Sequence, residues 1–143
     1  MRSGDERGWP ERMDWRARVL VENADAGVGF AMQQLLKDAA FAVECCGGPD
    51  HLRKHRCPLV EEGRCALAEG ADVIVHSLNP DRADQAAVLR AIRELHPQTP
   101  VVVEVPQPAM EAHAALLEGC TIVPMPATRA TITDAVRRAL SGV

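Results

Sequence analysis

The octapeptide ADVIVHSL, Ala71–Leu78, decides how this chain folds. Its centre is short, apolar and β-branched, which suits a strand covered on both faces. The residues that follow, Asp81 to Leu95, place Ala87, Val88, Ala91, Ile92 and Leu95 at helical spacing. The same unit recurs on either side. Upstream, Arg18–Glu22 (RVLVE) precedes a turn rich in Asn, Asp and Gly and a helix over Val28–Ala40, and Phe41–Cys46 (FAVECC) is a second strand stopped by Gly47, Gly48 and Pro49. The first helix places Phe30, Met32, Leu35, Leu36 and Ala39 largely on one face. Downstream, Pro100–Val105 (PVVVEV) precedes a helix over Ala109–Glu118. Cys120–Pro124 precedes one over Thr128–Leu140, with Ile132, Val136, Ala139 and Leu140 inward. Five short apolar strands alternating with helices require crossover connections, hence a parallel sheet with helices on both faces. The expected fold is therefore α/β and doubly wound, with strand order 2-1-3-4-5.

At 143 residues the chain holds one core, and 47% hydrophobic with 25% charged residues is globular composition. No apolar run approaches the roughly 18 residues of a membrane span. Met1 to Arg18 is charged and interrupted by Gly and Pro, without an apolar stretch that would act as a secretory signal, so a cytoplasmic setting is expected, where standing disulfides are disfavoured. A net charge of -4 with scattered basic residues argues against nucleic acid, and 3% aromatics with no Tyr argues against a base-stacking surface. Residues 1–16 read as a flexible N-terminal arm in which Trp9 or Trp15 docks, and 17–143 as the folded domain.

The segments RVLVEN, FAVECC, ADVIVHSL, TPVVVEV and GCTIVPMP resemble, in rhythm and order, the five strands of the receiver domain of two-component response regulators, a flavodoxin-like fold. The resemblance covers Arg18 to Leu140. It implies an acidic pair for Mg²⁺ after the first strand, where this chain has Glu22 and Asn23. It implies a phospho-accepting Asp where Ser77 stands, a Ser or Thr where Val105 stands, and a Lys before a cis-Pro where Met125 precedes Pro126. Aspartyl phosphorylation needs a carboxylate nucleophile, a divalent ion held by further carboxylates and a cation for the developing charge. Asp25 reads as a solvated turn residue rather than as a second cation ligand beside Glu22. The implied protein is a pseudo-receiver, a scaffold for regulation or protein-partner binding without enzyme activity. Receivers also pair through their last two helices and last strand, which implies a homodimer through Met110–Leu140.

Four of the five cysteines, Cys45, Cys46, Cys57 and Cys65, crowd the segment 45–70 between the second and third strands. This crossover is longer than a receiver's. Three uses compete. Cys45 or Cys46 with Cys57 and Cys65, completed by the other strand cysteine, His51 or His55, would bind zinc or an iron–sulfur cluster and report on redox state or metal supply. That use requires 57–65 to be irregular, because a regular helix would hold Cys57 and Cys65 about 12 Å apart. Alternatively Cys57, ahead of Pro58 at a helix start and near Arg53, Lys54 and Arg56, would be a low-pKa redox thiol. In the third, the cysteines are packed as small apolar residues. Pro58–Glu69 reads as a helix weakened at Gly63. Cys120 reads as packing.

Several weaker signals complete the inventory. Gly27-Val28-Gly29 with Glu44 has the outline of a dinucleotide fingerprint, but Met32 replaces the third glycine and the turn is better read as leading into a helix. A small-molecule or nucleotide binder using the carboxyl edge of a flavodoxin-like sheet is the alternative function, and a purely structural interaction domain is the other. His76 beside Ser77 has no carboxylate within its own strand to orient it, and His96 and His113 read as surface residues. Glu104 lies inside a valine run and needs a partner or solvent, and Val105-Pro106-Gln107-Pro108 reads as a stiff loop.

Overall fold

The computed structural model describes residues 8–12, 15–50 and 55–142. Its strands are β1 (Arg18–Glu22), β2 (Ala42–Cys46), β3 (Val73–His76), β4 (Val101–Val105) and β5 (Thr121–Pro124), in one parallel sheet of order β2-β1-β3-β4-β5. The expected topology is the one found. The helices are α1 (Ala26–Asp38), α2 (Pro58–Glu62), α3 (Ala66–Gly70), α4 (Ala83–Leu95), α5 (Gln107–Ala112), α6 (Ala114–Leu117) and α7 (Arg129–Ser141).

Strand side chains alternate between faces, so the sheet divides the core in two. Leu20, Ile74, Val101, Val103 and Val105 pack with Leu59, Leu67, Val88, Leu89 and Ile92 beneath α2 to α6. Val19, Val21, Val73, Val75, Val102 and Val123 pack with Met32, Leu36, Ile132 and Val136 beneath α1 and α7. Both faces of β3 are buried, which is why ADVIVHSL shows a run rather than an alternation.

Three elements differ from the sequence expectation. The first helix begins at Ala26 behind Asp25, whose carboxylate caps the Val28 amide, and its buried residues are Gly29, Met32 and Leu36. Phe30 is one residue, about 100° of helix rotation, beyond Gly29, and it is 61% exposed rather than inward. The expected helix over 58–69 is two short helices parted at Gly63, which takes φ +76° to end α2. The expected loop after β4 is helical from Gln107, with Pro108 tolerated in the first turn, and the helix then breaks at His113 between α5 and α6.

Trp9 is the arm residue that docks. It packs beside the core under α3 and its Nε1 donates to the Leu67 carbonyl at 2.9 Å, while the Arg18 guanidinium lies 5.6 Å from the ring centre. Gly70 makes room, since a Cβ there would collide with the indole. Trp15 is 89% exposed.

Candidate functional site

The carboxyl ends of parallel strands gather at one edge, where loops rather than helices reach the sheet, and this edge is where such folds place chemistry. In register, Glu22 at the end of β1 stands beside His76 at the end of β3. Each lies two residues beyond a side chain of the α2–α6 face, Leu20 and Ile74, so both point to that face. His76 Nδ1 donates to Glu22 Oε1 at 2.8 Å, with His76 2% and Glu22 5% exposed. A carboxylate this deep is tolerated only with a partner. The orienting carboxylate that His76 lacks within its own strand thus comes from the neighbouring one. Strand order 2-1-3 combined with side-chain parity was the signal for it.

Ser77 points to the opposite face, so no Ser–His pair forms. Its amide donates to the Glu22 carbonyl at 2.8 Å, and its Oγ is buried without a hydrogen-bond partner. Beyond β4 and β5 stand Val105 and the cis Met125–Pro126 bond, with the Met125 amide donating to the Val105 carbonyl at 2.9 Å. Asn23 Oδ1 accepts from the Asp25 amide at 2.9 Å, and Asp25 is occupied with the α1 cap. A Mg²⁺ site of the kind the receiver resemblance implies does not fit these residues. Glu22 is taken by His76, Asp25 by the helix, and Asn23 brings no charge.

The crossover thiols converge only in part. Cys46, Cys57 and Cys65 share the α2–α6 face with Glu22 and His76, and the Cys46 thiol lies within electrostatic reach of Glu22, Cys57 and Cys65. Cys45 points the other way, packed toward α1, where a Cβ on Gly29 would stand 3.0 Å from its Sγ. Parity separates adjacent strand cysteines, so the expected set of Cys45, Cys46, Cys57 and Cys65 does not assemble. Among the described residues no group of three or more Cys, His, Asp or Glu side chains is placed to hold a metal ion. His55 Nδ1 is engaged by the Gly48 carbonyl at 3.0 Å, and His51 lies outside the described residues.

Electrostatics oppose the redox-thiol expectation too. Cys57 is the N-cap of α2, and the amides of Leu59 and Val60 draw its pKa down without closing a capping hydrogen bond. Burial outweighs them, and the pKa is raised. Burial, then Glu22 and the neighbouring thiols, push Cys46 up to about 11 against the lowering effect of the Gly48 amide. Cys120 is also raised, chiefly by burial, although Arg93 Nη1 lies 2.9 Å from its sulfur. Protonated thiols are poor nucleophiles and poor ligands.

A cleft of about 400 Å³ opens between the crossover and α4, lined by Pro49, His55, Cys57, Val60 and Ala87 among others. A larger one, about 730 Å³, lies at the opposite, amino edge, where Arg93 and Cys120 line it, away from Glu22, His76 and the crossover thiols. Among the described residues no helix is long and apolar enough to cross a membrane.

Solved structures similar to this chain include receiver domains. A response regulator receiver domain protein from Clostridium thermocellum is 19% identical, with a TM-score of 0.65 over 88% of this chain and 95% of that one. A receiver protein from Sinorhizobium medicae is 21% identical, with a TM-score of 0.65 over 88% and 95%. The receiver domain of a putative Luxo repressor protein from Vibrio parahaemolyticus is 17% identical, with a TM-score of 0.66 over 90% and 92%. No family model and no curated protein matches the sequence. The chain has the receiver fold.

Two predictions test the edge. His76→Ala leaves Glu22 buried and unpaired and lowers unfolding free energy in urea by about 3–5 kcal/mol, while the double replacement of Glu22 and His76 by Leu recovers most of the loss. For Cys46 the unfolded thiol ionises near its ordinary value of 9.0 and the folded one only near about 11. Stability from this group is therefore whole below pH 9 and is lost across that window as pH rises. Denaturation curves at successive pH values show wild type losing up to about 1.4 kcal/mol more per pH unit than Cys46→Ala.

Proposed function

We propose that this chain is a cytoplasmic regulatory domain that works by binding a protein partner, on a receiver scaffold that does not carry phosphoryl-transfer chemistry. The observation that supports it is the buried Glu22–His76 pair at the end of β1 and β3. A phosphorylated receiver switches by adding charge at this edge. Here the edge acid is already hydrogen-bonded to a histidine 2.8 Å away, Ser77 offers a hydroxyl without a base, and Met125 offers no cation for a phosphoryl oxygen. Cys46, Cys57 and Cys65 act in this function as small packed groups, Cys57 buried and the other two half-buried. Zinc or iron–sulfur chemistry has no assembled ligand set among the described residues.

The test is incubation with acetyl phosphate and Mg²⁺, and separately with beryllofluoride, followed by intact-mass measurement and amide NMR. No phosphoryl adduct and an unchanged spectrum are expected, and a covalent phosphoryl group with shifted carboxyl-edge amides sinks the proposal. The partner surface extends to a second copy of the chain through Met110–Leu140, where Met110 and Leu116 are half-buried and Met125 is 43% exposed. Sedimentation velocity over a concentration series should show a dimer that Leu116→Asp abolishes. A monomer throughout removes that part.

A further inference from the structure

We infer that the carboxyl edge on the α1–α7 face is a receptor for a basic side chain, lysine or arginine, presented by a protein partner, with Glu104 as its counter-charge and Ser77 beside it. This rests on the partner-binding function above and names the chemistry of what binds.

Two polar groups without a side-chain partner face the same side there. Glu104 follows Val102 by two residues in β4, and Val102 belongs to the α1–α7 core, so Glu104 faces that side. Ser77 follows Val75 by two and faces the same side. The register that sets His76 beside Val103 sets Ser77 beside Glu104 one step on. Glu104 is 7% exposed, yet no hydrogen bond or ion pair reaches its carboxylate from the described residues. The neighbouring Ser77 Oγ is buried and also without a partner. Every other buried acid of the described residues is matched, since Glu22 has His76.

The Glu104 carboxylate is unpaired and its oxygens stay within reach of solvent, so a cation arriving from outside can pair with them, and the pair exists only in the complex. A single carboxylate with a hydroxyl is too few oxygens for a divalent ion but matches one ammonium or guanidinium. An apolar rim for an aliphatic stem is present in Met125, 43% exposed, whose amide bonds to Val105, the residue after Glu104. The net charge of -4 draws the same class of partner.

The probe is N-acetyl-lysine methylamide, with N-acetyl-norleucine methylamide as the uncharged stem control. Both are titrated into isotope-labelled full chain and read at the amides of Ser77, Val105 and Met125. Saturable shifts with the lysine probe are expected, with none from norleucine and at least a tenfold weaker response in Glu104→Gln. No saturable shift, an equal response to norleucine, an unchanged affinity in Glu104→Gln or a response to Mg²⁺ alone would each overturn the inference. Thermal unfolding supplies a second readout. Glu104→Gln and Glu104→Val should both raise the melting midpoint of the unliganded chain, and a fall would mean that Glu104 is already satisfied. Failure here leaves the acetyl phosphate result untouched, so the two ideas fail separately.

Discussion

The hydrogen bond between His76 and Glu22 is the constraint around which the carboxyl edge is organised. It joins the last residues of β1 and β3 at 2.8 Å, on the face that the crossover must cover. Burying a carboxylate without its histidine would cost several kcal/mol, so the two strands are held in one register by this side-chain hydrogen bond as well as by their backbone ladder. The same carboxylate acts on its neighbours. Glu22 raises the pKa of both Cys46 and Cys57, adding to the effect of burial. The arrangement that keeps the acid satisfied therefore also disfavours the thiolate at Cys46 and Cys57.

The two faces of this edge consequently differ in kind. On the α2–α6 face every charge has its partner and the thiols are quiet. On the α1–α7 face the Glu104 carboxylate and the Ser77 hydroxyl lack side-chain partners. A ligand moves a conformational equilibrium only through a difference in its affinity for the two states, and the largest such difference is offered by groups that are unsatisfied before it arrives. Recognition belongs on the second face for that reason, and the first supplies the rigid reference against which it works.

The strand order and the helix positions were legible in the sequence, because hydrophobic period and chain alternation are local signals. What local signals miss is pairing across strands. Glu22 and His76 are 54 residues apart and neither is unusual alone. For a related reason the described residues assemble no ligand set for the expected metal. Cys45 and Cys46 are neighbours in sequence but lie on opposite sides of the sheet, and density of cysteines along the chain is not density in space. Gly63 was visible as a weak point in a helix, yet its φ of +76° made it the end of one, which placed Cys57 and Cys65 at two separate helix starts. Phe30 was misplaced because a single step around α1 decides between core and solvent, and Gly29, with no side chain to advertise itself, took the inward position.

The opposite ends of β1 and β3 are fastened as well. Asp72, just before β3, accepts the Arg18 amide at 2.7 Å and the Arg12 guanidinium at 3.2 Å, and Arg18 in turn lies over Trp9, which is bonded to Leu67. The central pair of strands is thus tied at its amino end by Asp72 and at its carboxyl end by Glu22 and His76. No comparable side-chain tie joins the carboxyl ends of β4 and β5 among the described residues. The helix after β4 is broken at His113, which is held to the loop before α4 by Asp81 at 2.7 Å through a contact largely open to solvent. Surface ion pairs of this kind contribute little, on the order of 1 kcal/mol or less. The half of the sheet that carries Glu104 is joined by its backbone ladder and core without such a side-chain tie among the described residues, and a partner that pairs with Glu104 would supply one.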